Sequence, residues 1–264
     1  MIKLATLIAI ALEGGREVMT VYGTEFLAKT KADASPVTEA DLRCERVILD
    51  RLAEAAPGIP VVAEEAVAAG RVPESGETFF LVDPLDGTKE FVKRNGDFTV
   101  NIALVEAGVP VAGVVYAPAA GQLWTGSRDE GAFRADVANH LAGDLEPIRT
   151  RKAPPALIAV GSRSHGSAET AEWLSRLAVE HFVSRGSSLK FCILASGEAD
   201  IYPRLGRTME WDTAAGDAVL RAAGGIVTTL DGAPLSYNKR GQSDDADFAN
   251  PHFVAYGDPR LAQR

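Results

Sequence analysis

Thirteen residues, Phe79 to Phe91 (FFLVDPLDGTKEF), constrain this chain more than any other stretch. An apolar run drives straight into Asp83 and Asp86, spaced i, i+3. Pro84 has no amide to offer a strand ladder, and Gly87 accepts the backbone angles of a tight turn that brings main-chain groups toward a ligand. The run therefore reads as a buried strand ending at a bend, and the bend can aim both carboxylates at one point. Hard oxygen ligands of this kind suit magnesium, which takes a few carboxylates together with water and phosphate oxygens. The Leu85 carbonyl between them is a further ligand candidate, and Thr88, just past the turn, is placed to orient an attacking water. The same residues also suit an ordinary Asx-turn, and this segment alone leaves both readings open.

Context favours the ligand reading. VVAEEA, Val61 to Ala66, has the same build: a short apolar strand ending in Glu64 and Glu65. Neighbouring side chains at a strand end point different ways, so one of the two is expected to enter a site. EWDTAAGDAVLRAAGG, Glu210 to Gly225, places Asp212 where a helix starts, as a ligand or as an N-cap. Arg185 to Arg204 sets Gly186, Ser187 and Ser188 immediately before a helical run with Lys190 behind them, a pattern that suits an anion or an ordinary cap. Gly161 to Gly166 (GSRSHG) carries Ser164 and His165 in a loop after a strand. No nucleophile elbow and no metal spacing around His165 are present.

Around these motifs, two amphipathic helices are expected over Ile2 to Leu27 and Thr38 to Ala55, with Thr38 as N-cap and Asp41 at the capping-box position. Short strands follow at Ile59–Ala63, Thr78–Asp83, Phe98–Glu106, Val109–Tyr116 and Gln122–Thr125, the third and fourth forming a hairpin. The pattern dissolves between Ala138 and Pro155. Beyond it come a strand at Leu157–Gly161 and helices at Ala168–Glu180, Ser188–Ser196 and Trp211–Ala223. We expect an α+β half over residues 1–150, carrying most metal ligands, and an α/β half over 151–264, carrying Asp212 and the substrate contacts.

A net charge of −9 argues against a binder of nucleic-acid polymers, whose affinity comes from basic residues on phosphates. Two distant cysteines, Cys44 and Cys192, suggest neither disulfides nor zinc, and a reducing cytoplasm fits best. The apolar run Leu4–Leu12 is too short to cross a bilayer and lacks a cleavage motif, so it reads as an amphipathic helix, with peripheral membrane contact one option. The oligomeric state is open, a homodimer included.

Taken in order, VVAEE, DPLDGTKEF, GSRSH, GSSLKFC and WDTAAG resemble the inositol monophosphatase superfamily, and more closely its 3'(2'),5'-bisphosphate nucleotidase branch. The resemblance runs from about Asp33 to Gly225. It implies the layered αβαβα sugar-phosphatase fold and a lithium-sensitive, magnesium-dependent phosphatase acting on a small phosphorylated metabolite, phosphoadenosine phosphate of sulfur assimilation, with two or three ions. The implied metal ligands are Glu64, Asp83, the Leu85 carbonyl, Asp86 and Asp212. Asp41 takes a third-metal role, and Glu64 and Thr88 hold the water. On the substrate side it implies Gly87, Thr88, Ser164, His165, Gly186, Ser187, Ser188, Lys190 and Arg204, the last meeting a second phosphate because its planar fork pairs with phosphate oxygens. Asp217 stands where that branch carries histidine, which would put a carboxylate beside an anionic substrate. The alternatives are an inositol or other sugar phosphatase and, more distantly, an inactive metabolite-binding module.

Overall fold

Alternation along the strand Thr78–Asp86 sets the layering of the molecule. Successive strand side chains point to opposite faces: Phe79 and Leu81 enter one buried cluster, Phe80 and Val82 another. A strand apolar on both faces needs a covering layer on each side. The structure, a computed structural model, describes residues 2–30, 36–162 and 168–263.

In chain order, α1 (Leu4–Tyr22), the paired β1 (Lys29–Thr30) and β2 (Pro36–Val37), and α2 (Glu39–Ala55) lead into the first sheet. That sheet runs β10-β8-β7-β6-β5-β4-β3, with β9 (Leu141–Ala142) pairing β8. Its strands are β3 (Val61–Ala63), β4 (Thr78–Asp86), β5 (Thr99–Glu106), β6 (Val109–Ala117), β7 (Gln122–Ser127), β8 (Gly131–Ala138) and β10 (Glu146–Ile148). Only β3 and β4 pair in parallel within it. Short helices α3 (Glu64–Ala68) and α4 (Thr88–Val92) follow β3 and β4.

The second sheet runs β12-β11-β13-β17-β15. It comprises β11 (Leu157–Ser162), β12 (Val179–Arg185), β13 (Ile201–Arg204), β15 (Ile226–Thr229) and β17 (Phe253–Tyr256). A separate two-strand ladder pairs β14 (Thr208–Met209) with β16 (Ala249–Asn250). The remaining helices among the described residues are α5 (Ala168–Ser175), α6 (Leu189–Ala195), α7 (Ala214–Ala222) and a terminal 3-10 turn at Pro259–Gln263.

These stack as five layers. Helices α1 and α2 share a core with one face of the first sheet. On its other face α6 and α7 lie between the sheets, where Phe79 and Val105 join Phe191, Val219 and Phe253. Helix α5 covers the far side of the second sheet through Leu174 against Ala159, Ile201 and Val254. Close approach of α7 to the first sheet depends on Gly113 of β6, where a Cβ would lie 2.8 Å from the Ala215 carbonyl oxygen.

Three expected elements differ. Helix α1 stops at Tyr22 rather than near Leu27, because Arg94 donates to the Tyr22 and Thr24 carbonyls (2.7 and 2.6 Å) and Phe26 turns onto the Phe91 ring. The helix expected over Ala168–Glu180 ends at Ser175, and Val179–Arg185 pairs in parallel with β11 as β12. Ladder pairing overrode local helical spacing there. The stretch from 138 to 155 that looked patternless carries β9 and β10, exposed edge strands whose short length hides their period.

Candidate active site

The carboxylates gather where β3 and β4 end side by side. Parallel pairing of Ala63 with Val82 sets Glu64, the next residue, beside Asp83. Against β5 the register shifts between Asp83, opposite Asn101, and Asp86, opposite Thr99, so Pro84 and Leu85 form a bend out of the ladder. Gly87 closes it with a φ of +89°, and a Cβ there would sit 2.9 Å from the Asp97 carbonyl. Asp212 arrives from the layer between the sheets, in the turn before α7. It does not cap that helix: Thr213 holds the cap position, and Asp212 Oδ2 accepts from its own turn at Met209 N, 2.8 Å. Ligand atoms of Glu64, Asp83 and Asp212 lie within 4.8 Å of one another.

Of the adjacent pair, Glu64 lines the cleft, while Glu65 is buried with its amide donating to Glu45 Oε2 at 2.8 Å. Leu85 donates its amide to Asp83 Oδ1 (3.0 Å), and its carbonyl accepts from Thr88 Oγ1 (3.1 Å). Thr88 also reaches Asp41 Oδ1 at 3.3 Å. Asp41 completes the capping box of α2 through Oδ2, which accepts from the Thr38 amide and hydroxyl (2.8 and 2.7 Å), and it lies outside the three-carboxylate group.

Burial, then the neighbours Glu64, Asp86 and Asp212, raises Asp83 well above the usual carboxylate range. Burial, followed by Asp86 and Glu64, pushes Asp212 up to about 8. Among the described residues no lysine or arginine pairs with Asp83, Asp86 or Asp212. Crowded, desolvated carboxylates without a cation are costly alone and suit a hard divalent ion held by oxygen. The all-carboxylate donor set fits magnesium.

The cleft beside them has a volume of about 260 Å³ and is lined by Gly87, Thr88, Gly186, Ser187, Lys190 and Arg204, all anticipated from sequence. Ser164 and His165 lie outside the described residues. Ser188 is buried behind the wall, donating to the Asp212 carbonyl (2.7 Å) and accepting from Asn101 Nδ2 (3.0 Å). Ser187 has a left-handed φ of 56°, and its hydroxyl donates to Asp86 Oδ2 at 2.7 Å and meets Thr99 Oγ1. Lys190 Nζ donates to the Ser187 carbonyl, and burial pulls its pKa down to about 8, with Arg204 a lesser cause.

Arg204 has no acidic partner among the described residues. Asp200, the nearest obvious candidate in sequence, pairs instead with Arg151 through two 2.9 Å contacts. Its buried Nε has no hydrogen-bond partner, while Nη2 donates to the Arg207 carbonyl at 3.1 Å.

Asp217 corrects an expectation. It is absent from the cleft lining and fully buried, held by Arg221 Nε at 2.7 Å and the Tyr237 hydroxyl at 3.0 Å. Its charge is therefore neutralised in the core. Sequence reasoning also missed Thr99, Asn101 and Arg207. The first two were visible as polar residues at i, i+2 in an apolar strand, and Arg207 as a second basic residue three places after Arg204.

The fold and the carboxylate cluster together define a metal-dependent hydrolase scaffold. The chain belongs to the inositol monophosphatase family, a family of phosphatases, whose family model matches residues 3–249. The 3'(2'),5'-bisphosphate nucleotidase CysQ of Escherichia coli strain K12 is 44% identical over 246 residues, 92% of this chain and 95% of its own length. That of Haemophilus influenzae is 32% identical over 250 residues, 94% and 90% of the two chains. Among solved structures, CysQ from Bacteroides thetaiotaomicron, a bacterial member of the same family, superposes with a TM-score of 0.79 at 37% identity, covering 96% of each chain. An inositol monophosphatase from Thermotoga maritima shares the fold at a TM-score of 0.75 and 23% identity, covering 97% of this chain and 92% of its own. No helix among the described residues is long and apolar enough to cross a membrane.

Proposed function

We propose that this chain is a magnesium-dependent phosphatase of 3'(2'),5'-bisphosphate nucleotides, cleaving phosphoadenosine phosphate to AMP and phosphate. The observation that carries the reading is the presence in one cleft of a carboxylate nest and a guanidinium, Arg204, that meets no acid among the described residues. The relatives that span nearly the whole chain bear the same activity in their names.

Glu64, Asp83, Asp86, Asp212 and the Leu85 carbonyl would hold the metal. Bound magnesium would supply Lewis-acid charge to the phosphoryl and leaving oxygens. Thr88 has one hydroxyl hydrogen, given to Asp41 or to the Leu85 carbonyl, which leaves its oxygen lone pair to accept from a water. Glu64 accepts that water's other hydrogen, so the pair aims the water oxygen at phosphorus. Lys190 and Arg204 carry positive charge along the wall where the phosphates lie.

The test is Arg204→Ala assayed on phosphoadenosine phosphate and on adenosine 3'-monophosphate. A charge-assisted contact to phosphate is typically worth about 1.5 to 3 kcal/mol, so the bisphosphate-to-monophosphate ratio of kcat/KM should fall roughly ten- to a hundredfold. Equal losses on both substrates, or wild-type preference for inositol 1-phosphate, would move the chain to the sugar-phosphatase reading.

A further inference from the structure

We propose that Arg207 is a specificity-determining residue of this site: a second guanidinium reading the non-scissile phosphate, oriented by the acidic loop that follows residue 240. The proposal rests on the bisphosphate reading above and deepens it.

Both arginines reach one wall because the turn after β13 is folded around the first. The Arg204 guanidinium lies over Gly206, where a Cβ would stand 3.7 Å from its Cζ, and Arg204 donates to the Arg207 carbonyl. Arg207 lines the cleft together with Arg204 and Lys190. It also lines a second cavity of about 480 Å³ with Gln242, Asp244, Asp245 and His252, so it borders both spaces.

The way it is held leaves its recognition edge open. Arg207 Nε alone faces Asp245, at 3.1 and 3.4 Å from the two carboxylate oxygens. Among the described residues neither Nη nitrogen has a partner. Two parallel N–H groups on that edge match the spacing of phosphate oxygens. Asp245 is itself fixed: its Oδ1 accepts from the Ala246 amide at 2.7 Å, and Gln242 Nε2 spans the loop to the Ala246 and Ala249 carbonyls. The loop then returns as β16 onto β14, pairing Asn250 with Thr208, the residue next to Arg207. The acidic loop and the arginine are thus placed by one ladder. The loop's negative charge serves as an anchor at Nε and leaves the far edge for the substrate.

The experiment measures kcat/KM with magnesium on phosphoadenosine phosphate and adenosine 3'-monophosphate for wild type, Arg204→Ala, Arg207→Ala, Asp245→Asn and the Arg207→Ala/Asp245→Asn double variant. Arg207→Ala should lower the bisphosphate-to-monophosphate ratio about tenfold. Asp245→Asn should lower it about threefold, and the double variant should match Arg207→Ala alone, because the anchor acts only through the arginine. Rising ionic strength should erode the wild-type ratio more steeply than that of Arg207→Ala. An Arg207→Ala ratio equal to wild type overturns the proposal, and an Asp245→Asn ratio above wild type overturns the anchoring. If wild type prefers bisphosphates and only Arg204→Ala removes the preference, this inference fails and the functional reading stands. A wild type without that preference fails both.

Discussion

Asp83, one of the most buried acids in the molecule, shows how a site can be held ready at a cost to its own fold. Desolvation and three neighbouring carboxylates oppose its ionisation. Asp83→Asn keeps the shape and removes the charge, so in chelator the variant should melt at or above the wild-type temperature. Magnesium-supported turnover should fall more than about a hundredfold, since even outer-shell changes commonly cost 10- to 100-fold. Glu45, which accepts the Glu65 amide and so fixes the turn presenting Glu64, carries part of the pH signature of the metal-free fold beside Asp83 and Asp212. Burial raises its pKa from 4.5 to about 7. Between those values the folded state binds more protons than the unfolded chain, so stability should fall as pH rises through that window. Glu45→Gln should flatten the decline by on the order of 2 kcal/mol in chelator-treated protein, read from denaturant midpoints at pH 5 and 8. Neither Glu45 nor the division of labour between Glu64 and Glu65 was legible in the sequence, because both depend on which face of α2 meets the end of β3.

Helix α7 follows directly on Asp212, a candidate ligand, and within its largely apolar packing it buries one ionic pair. Asp217 and Arg221 pair within one turn, and Tyr237 closes the second carboxylate oxygen. Breaking such a pair strands a buried charge and typically costs about 3 to 5 kcal/mol. Asp217→Ala should therefore lower Tm sharply, while kcat/KM of the folded fraction shifts by similar factors on bisphosphate and monophosphate. A selective loss on one substrate would return Asp217 to the substrate's side. A sequence reader sees an aspartate one turn into a helix beside a ligand and has no means of seeing that Arg221 and Tyr237 enclose it. The same limit applied to Val179 and Glu180, read as the end of a helix but found at the start of β12 on the edge of β11.

At the scale of the molecule, the candidate ligands come from ends of the first sheet and from the turn before α7, which packs between the sheets. Metal binding should therefore cross-link layers that otherwise hold their carboxylates apart. At a hundred times the dissociation constant, a ligand binding only the folded state adds about 2.7 kcal/mol, or about 5 to 10 °C in a chain of this size. Magnesium should raise Tm by that amount over chelator-treated protein, and Asp212→Asn should abolish most of the shift.

What the sequence determined alone was local. An apolar run interrupted by Asp-Pro-Leu-Asp-Gly must bend, Thr38 and Asp41 must cap a helix, and the alternation of Phe79 to Val82 demands two covering layers. These follow from steric and burial rules that act within a few residues. Tertiary structure decided which of two adjacent glutamates lines the cleft, that Ser187 binds Asp86 through a left-handed backbone, and that Asp217 is paired in the core while Arg204 meets no acid among the described residues. Each of those outcomes depends on distances between residues tens of positions apart, and the charge of a side chain has no fixed meaning until its partners and its access to water are set.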